Sequence, residues 1–329
     1  MKKTLPALLT SLFLFQIIHS QTTEKTGKPI AEIFTDFHVN LDDTTKTTGF
    51  GLSRAFFGYN FFPIDNFSAS FILNIGNPDD LTASSVRRRY AYFREASISY
   101  SKDKLNISFG ITSTRHFYYQ QKFWGKRYIA NTFEALNGYG SVADLGIVMD
   151  YEFNDILKGD ITVMNGEGYS ELQLDNGVKT SAGITITPLK QLIIRFYGDY
   201  ARQNGVRQYT LVEFAGIKNE LITFGAEASY KTNLDLLDGH DSWGISATGS
   251  ISVFKKAEIF ARYDYSCSVG RLGESNHWNY LKDGSFFILG VQYSFSQDVK
   301  IALDYQGTYP NDRNERSTDM IYINALFKF

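Results

Sequence analysis

Apolar and polar residues alternate along this chain with a period of two, and the alternation runs to its last residue. In the closing segment "MIYINALFKF", Ile321, Ile323, Ala325, Phe327 and Phe329 share one face, while Tyr322, Asn324 and Lys328 fall on the other. That periodicity belongs to a β-strand with one apolar side. From residue 31 onward it predicts sixteen such segments. Each has roughly ten residues, the length a tilted strand needs to cross a bilayer. Clear apolar faces are Ile33, Phe37 and Val39; Phe67, Ala69, Phe71, Leu73 and Ile75; Leu145, Ile147, Met149, Tyr151 and Phe153; and Phe287, Leu289, Val291, Tyr293 and Phe295.

The connectors sharpen this. Short ones such as "SKDK" (101–104), "PLKQ" (188–191) and "SQD" (296–298) alternate with long polar ones such as "NGEGYSELQLDNG" (165–177) and "TYPNDRNERSTD" (308–319). A meander of this kind predicts an all-β fold: a transmembrane antiparallel barrel of about 16 strands, with short periplasmic turns and long extracellular loops. Pairing the last strand with the first closes the wall. Closure is obligatory in lipid, where each unpaired backbone group costs several kcal/mol. The terminal strand is then a stave of the wall, with Phe329 at the membrane interface, where a terminal aromatic of a barrel serves as a signal to the assembly machinery.

The amino terminus sets the compartment. Residues 1–20, "MKKTLPALLTSLFLFQIIHS", carry Lys2 and Lys3, an apolar run and the small residue Ser20. This is the build of a secretory signal peptide cleaved near Ser20/Gln21, and the run is short for a membrane span of roughly 20 residues. Residues 21–30 are expected to be a short periplasmic segment and 31–329 the barrel, placed in the outer membrane of a gram-negative cell and in contact with its lipid. Without Lys2 and Lys3 the chain has 31 basic against 35 acidic residues, a formal charge of −4, so nothing points to nucleic acid. The abundance of Phe (27), Tyr (21) and Gly (27) against six Pro agrees with strands and tight turns. Cys267, the only cysteine, has no disulfide partner. Metal frameworks need several clustered Cys or His residues, so it reads as an ordinary strand residue, and no cofactor or metal is expected.

The faces opposite the apolar ones carry charges of both signs, among them Asp36, Arg195, Asp199, Arg262, Asp264 and Asp304. Such residues are costly toward lipid, so they are expected to line a water-filled lumen. Around Arg54 ("GLSRAFFGY") and Arg94 ("YAYFREASISY") the alternation slips, the mark of a bulge, and neither arginine is assigned to a face.

The connector at 112–140, "TSTRHFYYQQKFWGKRYIANTFEALNGYG", is the longest and the least loop-like. Phe117, Tyr118, Tyr119, Phe123, Trp124, Tyr128 and Phe133 favour burial, so the loop is expected to fold into the barrel and narrow it. Arg115, Lys122, Lys126, Arg127 and Glu134 leave it at +3. A constriction ringed by cations favours anions; the alternative is that these cations pair with inward carboxylates or sit on an exposed loop.

Residues 93–153 resemble the phosphate-selective porin family of the O and P type in Gly110, Trp124-Gly125, Arg127-Tyr128 and Ala143-Asp144-Leu145-Gly146. The resemblance implies a sixteen-stranded barrel, often a homotrimer, that passes small solutes and holds phosphate on basic residues of its constriction. Carried over residue by residue, it makes Arg115, Lys122, Lys126 and Arg127 the candidate anion contacts. The family's arginine ladder has no counterpart here, since the inward positions hold more carboxylates than cations. The expected function is an outer-membrane porin for small hydrophilic or anionic solutes, not an enzyme. A receptor or adhesin barrel without channel activity, or a barrel hydrolase, is the alternative, although "HDS" at 240–242 is the nearest approach to a catalytic constellation and the sequence holds no G-x-S-x-G or H-E-x-x-H.

Overall fold

The alternating segments pair in chain order as sixteen antiparallel strands, and the first pairs with the last to close a barrel. The structure, a computed structural model, describes residues 26–42, 47–76, 90–173, 176–270, 277–280, 283–312 and 314–329. The leader of residues 1–20 lies outside them. The strands are β1 (Thr26–Asn40), β2 (Thr48–Ile64), β3 (Phe67–Gly76), β4 (Tyr90–Lys102), β5 (Leu105–Ser113), β6 (Ala143–Glu152), β7 (Leu157–Met164) and β8 (Lys179–Leu189). They continue as β9 (Leu192–Gln203), β10 (Val206–Lys218), β11 (Ile222–Lys231), β12 (Ser242–Phe254), β13 (Ala257–Ser268), β14 (Gly284–Ser294), β15 (Val299–Pro310) and β16 (Thr318–Lys328). Two short helices, α1 (Tyr118–Trp124) and α2 (Phe133–Leu136), lie in the connector between β5 and β6.

The apolar faces point outward as the parity requires: Ile147, Phe196, Phe224, Leu289 and Ile323 are all exposed on the outer wall. Aromatics flank this band at both ends, with Tyr151, Phe153, Tyr293 and Phe295 near the short turns and Tyr209, Tyr230, Trp243 and Tyr309 near the long loops. These are the girdles of a membrane barrel. Phe329 closes the wall, its N–H donating to Ala31 O and its carbonyl accepting from Ala31 N–H (3.0 and 3.1 Å). The side chain stands exposed beside Phe327.

Two expectations change. The segment 21–30 is not wholly a periplasmic tail, because β1 already begins at Thr26, and Thr26 to Ile30 pair with Phe62 to Gly58 of the long strand β2. Its polar residues hid a strand that its partner's length extends. The short–long alternation of connectors also has an exception. On the long-loop side β9 turns into β10 through Asn204-Gly205 alone, with φ of 49° and 88°, the pair of positive φ values that a type I′ hairpin demands and that Asn-Gly supplies.

Candidate functional site

The connector between β5 and β6 turns into the lumen, for a reason already present in its composition: it carries more aromatic surface than an exposed loop can leave in water. Helix α1 stops at Gly125, whose left-handed backbone (φ 62°) lets its N–H cap Gln121 O. On either side of that turn Trp124, Tyr128 and Ile129 pack on Phe34, Phe56, Phe260, Ile288, Ala302 and Leu326 of the inner wall. Two further aromatics settle where the wall has no side chain. A Cβ on Gly216 would lie 2.4 Å from the ring of Phe123, and one on Gly244 would lie 2.3 Å from the ring of Phe133. Glycine at those points makes the dimples that receive the loop.

Wall cations then clamp its backbone. Arg195 of β9 donates to Arg115 O (2.6 Å), Lys231 of β11 to Tyr139 O (2.7 Å), and Arg262 of β13 to Asn131 O. Each arginine is held in turn by a carboxylate: Arg195 by both oxygens of Asp160 (2.7 and 3.0 Å) and Arg262 by both oxygens of Asp264 (2.9 and 2.5 Å). His116 at the loop's start sits between Glu134 (3.0 Å) and Asp199 (3.7 Å), and Asp199 also pairs with Lys179 (2.8 Å).

This corrects the expected pore lining. Arg195, Asp199, Arg262, Asp264 and Asp304 face inward, but the loop and its neighbours cover them; Arg195 and Arg262 are each 1 % exposed. Their charges are spent on one another and on the loop, with Asp304 accepting from Asn324 (2.7 Å) and Gln306 (2.9 Å). Asp36, of the same set, keeps a partly exposed place against His38 Nδ1 (2.7 Å).

The predicted anion contacts divide. Arg115 forms a two-pronged pair with Asp150 (both contacts 2.6 Å) and Lys126 pairs with Glu258 (3.1 Å), so both are neutralised. Lys122 lies over the ring of Tyr118 (4.1 Å). Arg127 differs. Burial, followed by the like charges of Arg54 and Arg94, pushes its guanidinium below its ordinary value. Among the described residues no carboxylate forms an ion pair with any of these three arginines, and each has a buried guanidinium nitrogen without a hydrogen-bond partner. What polar contact they have is long: Arg54 to Asn131 Oδ1 and Arg94 to Val142 O, both 3.4 Å.

Arg54 and Arg94 are the residues that parity could not place, and the ladder shows why. The β1–β2 register shifts so that Ser53 is skipped, and the β3–β4 register shifts so that Arg94 itself is the extra residue. A bulge re-aims a side chain. Here two bulges in β2 and β4 bring two arginines toward Arg127. The slip in alternation was the legible signal.

On the long-loop side lies a chamber of about 680 Å³ that Arg54, alone of the trio, and Asn131 help to line. Its other cations, Lys179, Arg202 and Lys231, stand against Glu167, Glu171 and Asp235. On the short-turn side of the loop a second chamber of about 330 Å³ is lined by Lys126, Lys218, Lys255, Lys256 and Lys300 against Glu220 and Glu258. Both chambers carry more cations than carboxylates. The inward carboxylates that outnumber cations in the sequence are mostly used up in the clamps.

No family model matches this chain, and no curated protein does. Its fold matches solved outer-membrane barrels. OmpT of Vibrio cholerae, outer-membrane expressed, aligns with a TM-score of 0.65 at 14% identity, over 93% of this chain and 98% of that one. OmpF of Salmonella typhi, in a complex with daunomycin, aligns at 0.67 and 11% over 93% and 98%. A trimer form of in-vitro folded V. cholerae OmpT aligns at 0.60 and 14% over 93% and 99%. At such identities the likeness is one of fold.

Proposed function

We propose that this protein is an outer-membrane porin through which small hydrophilic solutes diffuse, with a preference for anions set at Arg54, Arg94 and Arg127. The observation that carries this reading is the arginine trio: three guanidinium groups gathered at the folded-in loop, each with an unpaired buried nitrogen and none with a carboxylate partner among the described residues. Like charges so placed destabilise one another until an anion enters. A planar guanidinium offers paired N–H donors that match the oxygens of a carboxylate or phosphate. An anion entering from the long-loop chamber sheds part of its hydration to these donors and leaves toward the lysine-lined chamber, so the field favours one sign along the whole path. No bond is made or broken in this role. Phosphate selectivity and a homotrimer, implied by the resemblance of residues 93–153, belong to the same proposal, and the existence of a V. cholerae OmpT trimer form supports the latter.

The test is the reversal potential of the refolded protein in a planar bilayer under a KCl gradient, with phosphate then titrated on the long-loop side. The expected result is a chloride-favouring potential and a current that falls as phosphate occupies the trio. A cation-favouring pore would discard the anion preference, and folded protein without conductance would return the receptor or hydrolase alternatives. Export and assembly have their own test. Phe329→Ala keeps both backbone bonds to Ala31 and removes only the ring, so it is expected to lower the amount of assembled barrel in cells several-fold. Refolding into detergent should be unchanged, as the ring is exposed outside the wall.

A further inference from the structure

Where β13 ends and the chain returns to β14, the single cysteine meets two other metal-binding side chains. Cys267 Sγ lies 3.7 Å from His277 Nδ1, and the same nitrogen lies 3.8 Å from Asp283 Oδ2. The three ligand atoms all fall within 4.8 Å of one another. Zinc bonds of about 2.3 Å to sulfur and about 2.0 Å to nitrogen and oxygen, at tetrahedral angles, put S and N about 3.5 Å apart and N and O about 3.3 Å apart. The S–N spacing of 3.7 Å and the N–O spacing of 3.8 Å lie within about half an ångström of these values, and a bound ion would draw the sulfur and the carboxylate, within 4.8 Å of each other, together.

The site is also held from behind. Asp283 accepts from the Ser268 N–H (2.8 Å) on one oxygen and from the Ser268 hydroxyl (2.5 Å) on the other, and that hydroxyl accepts from the Asn279 N–H (3.1 Å). His277 is fixed by a backbone bridge to Gly270. Next to it, Trp278 stacks on His240 (4.3 Å, 6° between planes) and donates its indole N–H to Asp241 O (2.7 Å). Orientation of ligands by hydrogen bonds behind them is what distinguishes a metal site from a chance cluster. The sequence expectation that Cys267 is an ordinary strand residue overlooked partners that lie across a loop.

We propose that Cys267, His277 and Asp283 bind a divalent transition metal ion of the zinc class at the long-loop end of the barrel. Thiolate, imidazole and carboxylate suit that class and not calcium or magnesium, which take oxygen ligands. Three protein ligands leave the fourth position to water. Such an ion would tie the end of β13 to the start of β14.

The test uses the full-length barrel refolded in detergent and treated with a chelator. Zn²⁺ is titrated calorimetrically and Co²⁺ by absorption, with each variant's folding checked by its mobility before and after heating. One ion per chain is expected, with a sulfur-to-cobalt charge-transfer band that Cys267→Ser abolishes. His277→Ala should weaken Zn²⁺ binding at least tenfold, Ser268→Ala should weaken it by about tenfold through the lost support of Asp283, and His38→Ala on β1, outside the cluster, should leave the band in place. Independently of any variant, Zn²⁺ should slow alkylation of Cys267 in the native chain. Absence of the band in the native protein, equal Zn²⁺ affinity in Cys267→Ser, or alkylation indifferent to Zn²⁺ would each overturn the proposal.

Discussion

Replacing Arg127 by Glu is expected to swing the reversal potential in a KCl gradient from the chloride toward the potassium side. Arg127 comes from the folded-in loop, Arg54 from β2 and Arg94 from β4, and no described carboxylate pairs with any of them. Two unit charges about 4 Å apart interact by about 1 kcal/mol even at the dielectric constant of water. A change of two charges at this station therefore raises the energy of a passing anion and lowers that of a passing cation by about 2 kcal/mol each, well over tenfold in the anion-to-cation permeability ratio. The introduced carboxylate also gives Arg54 and Arg94 a partner, so the station falls from three positive charges to a net one. Arg127→Lys separates charge from shape: the sign of the potential should survive, while block by phosphate should weaken, because an ammonium lacks the planar fork. An unchanged permeability ratio in Arg127→Glu would mean that permeating ions do not pass the trio.

Cutting the clamp at Arg262 should have the largest effect on both stability and conductance. Its guanidinium, buried on β13, joins Asp264 of the same strand to the backbone of Asn131 in the loop and lies 5.4 Å from the ring of Trp124. Arg262→Ala leaves Asp264 buried and unpaired, a change that costs about 3–5 kcal/mol in comparable settings. A lowered urea midpoint for unfolding from detergent is the expected reading. The loop also loses its hold at Asn131, four residues beyond Arg127, so the pore should become wider, noisier and less selective. The double variant Arg262→Ala with Asp264→Ala removes the orphaned charge and should recover part of the stability but none of the selectivity. A single variant with native conductance would show that the packing of Trp124, Tyr128 and Ile129 holds the loop without the clamp.

The candidate site was legible in part. Parity identified Arg195, Arg262 and Asp264 as inward-facing, and so they are. It could not show that a loop would cover them, because covering is a contact between segments far apart in sequence: Arg262 and Asn131 are separated by 131 residues. The loop's cations were identified as a set, yet Arg115 and Lys126 meet Asp150 and Glu258 on the wall, while Arg127 does not. Nothing in the spacing of those four residues distinguishes them. Arg54 and Arg94 escaped assignment since a bulge breaks the very period on which the assignment rests.

The sequence alone determined the barrel: strand number, the apolar outer wall, the closing terminal strand and the inward turn of an aromatic-rich loop. These follow from local periodicity and from the rule that lipid tolerates no open edge, both of which act on every strand in the same way. Only the tertiary structure decided which charges remain available to a solute. Whether a buried cation is neutralised depends on whether a carboxylate from another strand lies within a few ångströms, a distance that composition does not contain and that closure of the barrel creates.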